Sequence, residues 1–308
     1  MIKKALYFLA FAVTLFAAIL FLRSSQVKSS SFVINTLKQK DSKFFRWRGV
    51  DIHYIDEGSG LPILMVHGLG GSHRNFQKLS HEMKDSFRVI RVDLPGFGLS
   101  GFPESGHHYL TMYQDFMTDF INHIGIDSMV LIGNSMGGGI SWLTTLNHPA
   151  KIKGLVLISA AGYDLQKVKK GVVRFARFGI AQKLFYKGMP MLFTRNTIKR
   201  VYYNPSLVSK DDLKKTNLMW NKEGNIHAFF ELAHSEDLPD ETRIKEIKTP
   251  TLILWGANDK LVNVKYADRF KQDIKNSNVV IYNQCGHVPM NEKTLEVKRD
   301  IEEFLKSI

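Results

Sequence analysis

The sequence predicts an α/β protein: a mostly parallel sheet with helices on both faces, interrupted by a helical cap and preceded by an N-terminal membrane helix. Six short apolar runs do not alternate with polar residues, which is typical of parallel strands covered on both faces, and helical stretches separate them. One segment of about 90 residues breaks this alternation and is far too long for a loop, so it predicts the cap.

The elements can be placed along the chain from these patterns. Alternating segments at 44–48 and 51–56, joined at Gly49, predict a hairpin. The six apolar runs predict buried strands at 61–67, 87–93, 127–133, 153–159, 249–256 and 277–283. Helices are expected at 74–84, 109–124, 136–147, 263–275 and 293–306.

The domain organisation follows from length and composition. The chain has 308 residues, of which 44% are apolar, enough for one large core with an inserted subdomain. We expect a core formed by 44–163 and 247–308, a cap at 164–246 and a polar, serine-rich tether at 26–43. A single cysteine, Cys285, excludes an internal disulfide.

The N-terminal segment 1–25 contains an apolar run that suggests membrane insertion. Residues 5–22 carry no charge, and as a helix they cover roughly 27 Å, close to the hydrocarbon thickness of a bilayer. We expect a single-pass signal anchor with the catalytic domain outside the cytoplasm. The alternative is a cleaved signal peptide, which leaves a secreted or periplasmic protein.

The formal net charge of +13 is concentrated in the predicted cap. Residues 165–210 contain eleven lysines and arginines, no acidic residue, and interleaved aromatic side chains. Such a face suits an anionic membrane surface. It equally suits a lid with a solvated basic side. Nucleic acid is not an expected partner, because zinc-finger spacing and RNA-binding aromatic patterns are absent from the sequence.

A nucleophilic serine is predicted from the motif G-x-S-x-G at 133–137. The motif follows an apolar strand and precedes a predicted helix, which is the strand–turn–helix context that it requires. Residues two before and two after the serine must be small so that strand and helix can approach. Ser135 is therefore the expected nucleophile.

The sequence HGLGG at 67–71 directly follows a predicted strand and suits an oxyanion hole. One backbone donor is expected from the residue after the nucleophile, Met136. The second donor is expected from the glycine-rich loop, at the N–H of Leu69.

A base and an orienting acid complete this chemistry. His287 follows the last predicted strand and Asp259 follows the one before it, so the chain order is Ser, Asp, His. The carboxyl ends of such strands host sites in open α/β sheets. Asp164, after the strand ending near Ser159, is the alternative acid.

These motifs together resemble the α/β-hydrolase superfamily. They are HGLGG (67–71), DLPGFGLS (93–100), GNSMGG (133–138), LILWGANDKLV (252–262) and CGHVPM (285–290). The chain is similar to exported or anchored bacterial lipases and esterases, and to membrane-bound monoacylglycerol lipases. The resemblance implies a serine hydrolase that cleaves small-molecule or lipid carboxylic esters through an acyl-enzyme and requires no metal or organic cofactor.

Two alternatives remain open at this point. Superfamily members that cleave carbon–carbon bonds share GNSMGG but usually carry HGxGPG and a tryptophan after the final Gly-His. Here Ser72 and Val288 occupy those positions. A non-catalytic, ligand-binding relative is the second alternative. Dehalogenases and epoxide hydrolases of this fold use an aspartate nucleophile, so Ser135 argues against both. The sequence does not indicate an oligomeric state.

Overall fold

The computed structural model describes residues 26–103, 109–164, 185–235 and 237–308. The apolar run at 5–22 and the basic segment 165–184 of the predicted cap lie outside the described residues. Within the described ranges, no helix has both the length and the apolar character needed to cross a membrane.

Within the described residues, one eight-stranded sheet forms the centre of the molecule. Its strands are β1 Ser42–Trp47, β2 Val50–Glu57, β3 Pro62–Val66, β4 Arg88–Val92, β5 Met129–Asn134, β6 Ile152–Ile158, β7 Thr251–Gly256 and β8 Ser277–Tyr282. They lie in the order β1-β2-β4-β3-β5-β6-β7-β8. β2 runs antiparallel to both neighbours, and every pairing from β4 to β8 is parallel. The mostly parallel sheet is therefore confirmed.

The predicted hairpin at the start of the sheet is formed by β1 and β2. The connecting residues Arg48 and Gly49 have φ angles of 43° and 80°. Two successive positive φ angles are what a tight type I′ turn requires, and glycine adopts them without steric cost.

The helices found among the described residues connect and cover these strands. They are α1 Ser30–Leu37, α2 Gln77–Met83, α3 Tyr109–His123, α4 Met136–Asn147, α5 Met191–Val201, α6 Lys210–Trp220, α7 Asn225–His234, α8 Lys265–Asp273, α9 Pro289–Glu292 and α10 Thr294–Lys306. Short 3-10 helices occur at His73–Phe76, Pro205–Leu207 and Glu241–Glu246. Helices α5 to α7 lie between β6 and β7, where the sequence predicted the cap.

The two faces of the sheet bury alternate side chains of each strand. In β3, Leu64 and Val66 pack in the core formed with α3, α4 and α8. Ile63 and Met65 pack on the opposite side with α2 and α10. This coverage of both faces explains why the strands read as unbroken apolar runs.

The segment 26–43 differs from the tether that we expected. Ser29 caps α1 by accepting a hydrogen bond from Phe32 N–H, and Val33 and Leu37, four residues apart, are buried in one cluster with Met219 of the cap. The serine-rich composition suggested a flexible segment, but serine is also a favourable N-cap residue, and here it begins a helix. The segment is thus packed on the fold.

Candidate active site

Ser135 stands on the sharp turn between β5 and α4. Its backbone has φ 56° and ψ −122°, a conformation that residues other than glycine rarely adopt. The turn is held by hydrogen bonds from Ser135 N–H to the Ile158 carbonyl (3.0 Å) and from Ala161 N–H to the Ser135 carbonyl (2.9 Å). Such strain persists only where the surroundings enforce it, and it exposes the side chain at the edge of the sheet.

Glycines on either side of Ser135 make this turn sterically possible. A Cβ on Gly133 would collide with the Gly137 carbonyl oxygen, and a Cβ on Gly137 would collide with the carbonyl oxygens of Val66 and His67. Because the obstructing atoms are backbone, they cannot easily move aside. The small residues that the motif requires are therefore explained by the packing of β5, α4 and β3.

His287 and Asp259 form a buried hydrogen-bonded pair. The His287 Nδ1–H donates to Asp259 Oδ2 at 2.7 Å, and the two side chains are 6% and 0% exposed. The other carboxylate oxygen, Oδ1, accepts from the N–H groups of Leu261 (2.8 Å) and Val262 (3.0 Å). The carboxylate is thus fixed by the loop after β7 and can hold the imidazole in one orientation.

The loop carrying His287 is attached to the turn that carries the serine. The side-chain amide of Asn134, the residue before Ser135, donates to the His287 carbonyl at 3.2 Å and to the Ile158 carbonyl at 3.0 Å. Ser135 and His287 line the same cavity. Ser135 and His287, with Asp259 bonded to the imidazole, therefore lie on one cavity.

Asp164, the alternative acid, has other contacts. Its Oδ2 accepts a hydrogen bond from the Tyr266 hydroxyl at 3.0 Å, and its N–H donates to Glu241 at 2.8 Å. The carboxylate bonded to His287 is that of Asp259.

The glycine-rich loop after β3 lies directly against the serine. A Cβ on Gly68 would stand 2.9 Å from Ser135 Cβ. Leu69 and Met136 both line the cavity beside Ser135. In the described parts of the chain, neither the Leu69 N–H nor the Met136 N–H donates to a protein acceptor.

His67 holds this loop in place. Its Nε2 accepts from Leu94 N–H at 3.0 Å, so the ring proton is on Nδ1, which donates to the Gly68 carbonyl at 2.7 Å. Burial lowers the pKa of His67. The imidazole is thus kept neutral, which the accepting role of Nε2 requires.

A cavity of about 1240 Å³ opens above Ser135 and extends outward past Arg74 and Asp212. The cap lines it mainly with apolar side chains: Met189, Phe193, Met219, Trp220, Ile226, Phe229, Leu232 and Ala233. Trp220 also donates from Nε1 to the Gly70 carbonyl at 2.6 Å, which ties the cap to the loop next to Ser135.

Sequence reasoning missed a buried cluster of His53, His73 and Asp93. Both histidines donate from Nδ1 to the Asp93 carboxylate, at 2.8 Å from His53 and 3.0 Å from His73. The ligand-type atoms of the three side chains all lie within 4.8 Å of one another, so the same cluster has the geometry to hold a metal ion. Burial raises the pKa of Asp93, but His73 and His53 outweigh it and hold the pKa well below its usual value. The cluster joins β2, β4 and the turn after β3, and the only available indication in the sequence was Asp93 in DLPGFGLS.

Cys285, next to the histidine loop, is buried and free. Burial, with the Glu292 charge as the next cause, raises the pKa of its thiol to about 12. The sulfur therefore stays protonated and does not compete with Ser135 as a nucleophile.

The chain belongs to the alpha/beta hydrolase fold family, whose model matches residues 62–294. It is 25% identical over 262 residues to Lipase 1 of Psychrobacter immobilis, covering 82% of this chain and 79% of the lipase. It is also 25% identical over 268 residues to the 2-hydroxy-6-oxo-2,4-heptadienoate hydrolase of Pseudomonas putida, covering 83% and 93%. The solved structure of a thermophilic esterase from Thermogutta terrifontis matches with a TM-score of 0.70 and 26% identity, covering 88% of this chain and 99% of that chain. The protein is therefore a hydrolase of the α/β fold.

Proposed function

We propose that the protein is a serine hydrolase of carboxylic esters. Ser135 Oγ attacks the ester carbonyl while His287 Nε2 takes its proton, and the N–H groups of Leu69 and Met136 stabilise the oxyanion. The alkoxide leaves with the proton from His287, which leaves an acyl group on Ser135. His287 then removes a proton from water, which attacks the acyl carbon. The adduct collapses, the acid is released, and Ser135 Oγ leaves with the proton from His287.

The observation that carries this proposal is the shared cavity of Ser135 and His287, with the imidazole fixed by Asp259 at 2.7 Å. A serine hydroxyl is a weak nucleophile until a base removes its proton, and the base needs an orienting carboxylate. The three side chains come from the loops after β5, β7 and β8, at the edge where α/β sheets place their ligands.

The apolar cap lining supports an uncharged acyl chain as the group that enters the cavity, in keeping with a lipase or a monoacylglycerol lipase. A carbon–carbon hydrolase would need a site for a carboxylate, because the substrate after which the Pseudomonas putida relative is named carries a carboxylate group. Of the lining cations, Arg74 and Arg91 are bonded to Asp212 (3.0 Å) and Glu57 (2.8 Å). Lys78, Lys84 and Arg200 also line the cavity, so the preference for an ester rests on the apolar cap lining.

An acyl-length series tests this choice. We expect kcat/KM on p-nitrophenyl esters and monoacylglycerols to rise from acetyl to longer acyl groups, because each buried methylene contributes about 0.8 kcal/mol. Ser135→Ala is the matched control and should hydrolyse none of them. A higher kcat/KM on 2-hydroxy-6-oxo-dienoates than on every ester would establish the carbon–carbon alternative instead.

We also propose that the cap faces an anionic membrane. On α5 the exposed positions recur with helical spacing and form one stripe: Met191, Leu192, Arg195, Asn196, Lys199 and Arg200. Met191 and Leu192 are 41% and 67% exposed. Gln26 N–H donates to the Lys187 carbonyl at 2.7 Å, so the first described residue is bonded to the segment that precedes α5. An apolar and basic helix face suits lipid headgroups.

Vesicle binding separates this proposal from a merely solvated basic lid. A protein beginning at Gln26 should bind phosphatidylglycerol vesicles at low salt, bind phosphatidylcholine weakly, and dissociate in high salt, because screening acts within roughly 10 Å. Charge reversal at Arg195 and Lys199 should abolish binding and spare the hydrolysis of soluble short esters. Failure of the unmodified protein to bind anionic vesicles at low salt would favour the solvated lid.

A further inference from the structure

Glu292, at the end of the short helix α9, binds two separate segments of the chain. Its Oε1 accepts a hydrogen bond from Gly286 N–H at 2.7 Å. Its Oε2 accepts from the N–H groups of Tyr203 (2.9 Å) and Asn204 (3.0 Å) in the cap. One carboxylate thus satisfies three backbone donors, on the histidine loop and on the cap segment that follows α5.

The same two segments are joined a second time, at the histidine itself. His287 N–H donates to the Val201 carbonyl, the last residue of α5, at 2.8 Å. The two successive N–H groups at this point of the chain therefore both have an acceptor. The Gly286 N–H donates to Glu292, and the His287 N–H donates to Val201. The carbonyl of His287 is held by Asn134 at 3.2 Å.

The backbone of His287 consequently depends on the seating of the cap. The hydrogen bond to Asp259 fixes the rotation of the imidazole, but it does not fix the position of the His287 backbone. That position is set by the contacts of Gly286 and His287, of which one is made by Glu292 and one by α5. A displacement of the reacting groups by about 1 Å can reduce a rate by about 10²-fold.

We propose that Glu292 is a positioning residue that couples the seating of the cap to the placement of His287 for proton transfer. This inference rests on the proposed function, in which His287 is the base. It assigns Glu292 no contact with the substrate. Residues 201–204, at the end of α5, therefore help to position the catalytic base.

The carboxylate is chemically specific for this role. Its two oxygens accept at all three N–H groups, whereas a glutamine of the same size presents one oxygen and one NH2 group. The NH2 group of Glu292→Gln would face an N–H donor, either at Gly286 or at Tyr203 and Asn204. At least one of the two segments therefore loses its attachment, although the side-chain volume is unchanged.

Kinetics on two esters test the proposal. In Glu292→Gln and Glu292→Ala, kcat should fall on the order of 10²-fold on both p-nitrophenyl acetate and a long-chain ester, because His287 serves both. Glu292→Asp keeps the charge and should recover part of the loss. Glu296→Gln is the matched control, since Glu296 is 45% exposed and contacts only Lys293 at 3.9 Å among the described ion pairs. Its kcat should equal that of the wild type.

Amide hydrogen exchange provides a readout that does not need turnover. The amides of Gly286, Tyr203 and Asn204 should exchange faster in Glu292→Gln than in Glu296→Gln, with unchanged protection in the β5 amides. Unchanged kcat on both esters, or a change confined to the KM of the long ester, would show that Glu292 only holds the cap and would overturn the inference. If the wild type hydrolysed no ester, the proposed function would fail, whereas the exchange data would still decide whether Glu292 joins the two segments.

Discussion

The contacts around His287 largely determine the outcome of replacing Asp259 by asparagine. Oδ1 accepts from Leu261 and Val262 N–H at 2.8 and 3.0 Å, so an asparagine must keep its carbonyl oxygen there. Its NH2 group then points at His287 Nδ1. Since an NH2 group donates, the imidazole must accept at Nδ1 and carry its proton on Nε2, towards Ser135.

In that tautomer Nε2 cannot remove the proton from the serine. The known cost of the wrong tautomer in a triad is about 10⁴-fold in kcat. This corresponds to about 5.4 kcal/mol of activation free energy at about 1.36 kcal/mol per tenfold. The fold should persist, because both backbone hydrogen bonds to the side-chain oxygen of residue 259 are retained.

Stopped-flow hydrolysis of a p-nitrophenyl ester measures the effect, with circular dichroism as the check on folding. Asp164→Asn is the matched control, since Asp164 contacts Tyr266 and Glu241 rather than His287, and its kcat should stay close to the wild-type value. A folded Asp259→Asn variant with kcat within about tenfold of the wild type would refute the assigned role of the acid.

Three further predictions concern stability and the cap. Burial lowers the pKa of His67 and His73, so below pH 6.5 the unfolded chain binds more protons than the folded protein. The free energy of unfolding should therefore fall, as the pH is lowered, by about 1.4 kcal/mol per pH unit for each histidine until its folded pKa is reached. Urea titrations at several pH values measure this decrease. Gly137→Ala should prevent stable folding, measured by thermal denaturation, because its Cβ meets two backbone carbonyl oxygens; a normal Tm would contradict the described elbow. Trp220→Phe removes the hydrogen bond to the Gly70 carbonyl and should lower kcat/KM by about fivefold, at a cost near 1 kcal/mol; an unchanged kcat/KM would mean that this bond does not position the loop.

Most of the sheet was predictable because its strands are buried on both faces. The six apolar runs match β3 to β8, and Gly49 marks the hairpin turn between β1 and β2. The helix α1 was missed because eight residues with two buried positions, Val33 and Leu37, carry little periodicity, and the serines around them suggested a flexible segment. Its stability comes from contacts with the cap, which local sequence does not reveal.

The site was predictable where function requires a recognisable local pattern. Ser135 needs small neighbours on a turn, and Asp259 and His287 each follow an apolar strand, so all three leave a trace in the sequence. Glu292 has no such recognisable pattern, because it accepts hydrogen bonds from backbone N–H groups, which every residue except proline offers. The pairing of His53 and His73 with Asp93 depends on β2, the 3-10 helix after β3 and the end of β4, which only the folded sheet brings together.

Covalent labelling tests the central claim most directly. A fluorophosphonate probe should react with the wild-type protein, and peptide mass spectrometry should find the adduct on Ser135. Ser135→Ala should not be labelled, and the free, buried Cys285 should remain unmodified. Equal labelling of the alanine variant, or an adduct on another residue, would contradict the assignment of the nucleophile, and a folded wild type that resisted the probe would instead indicate a ligand-binding member of the family.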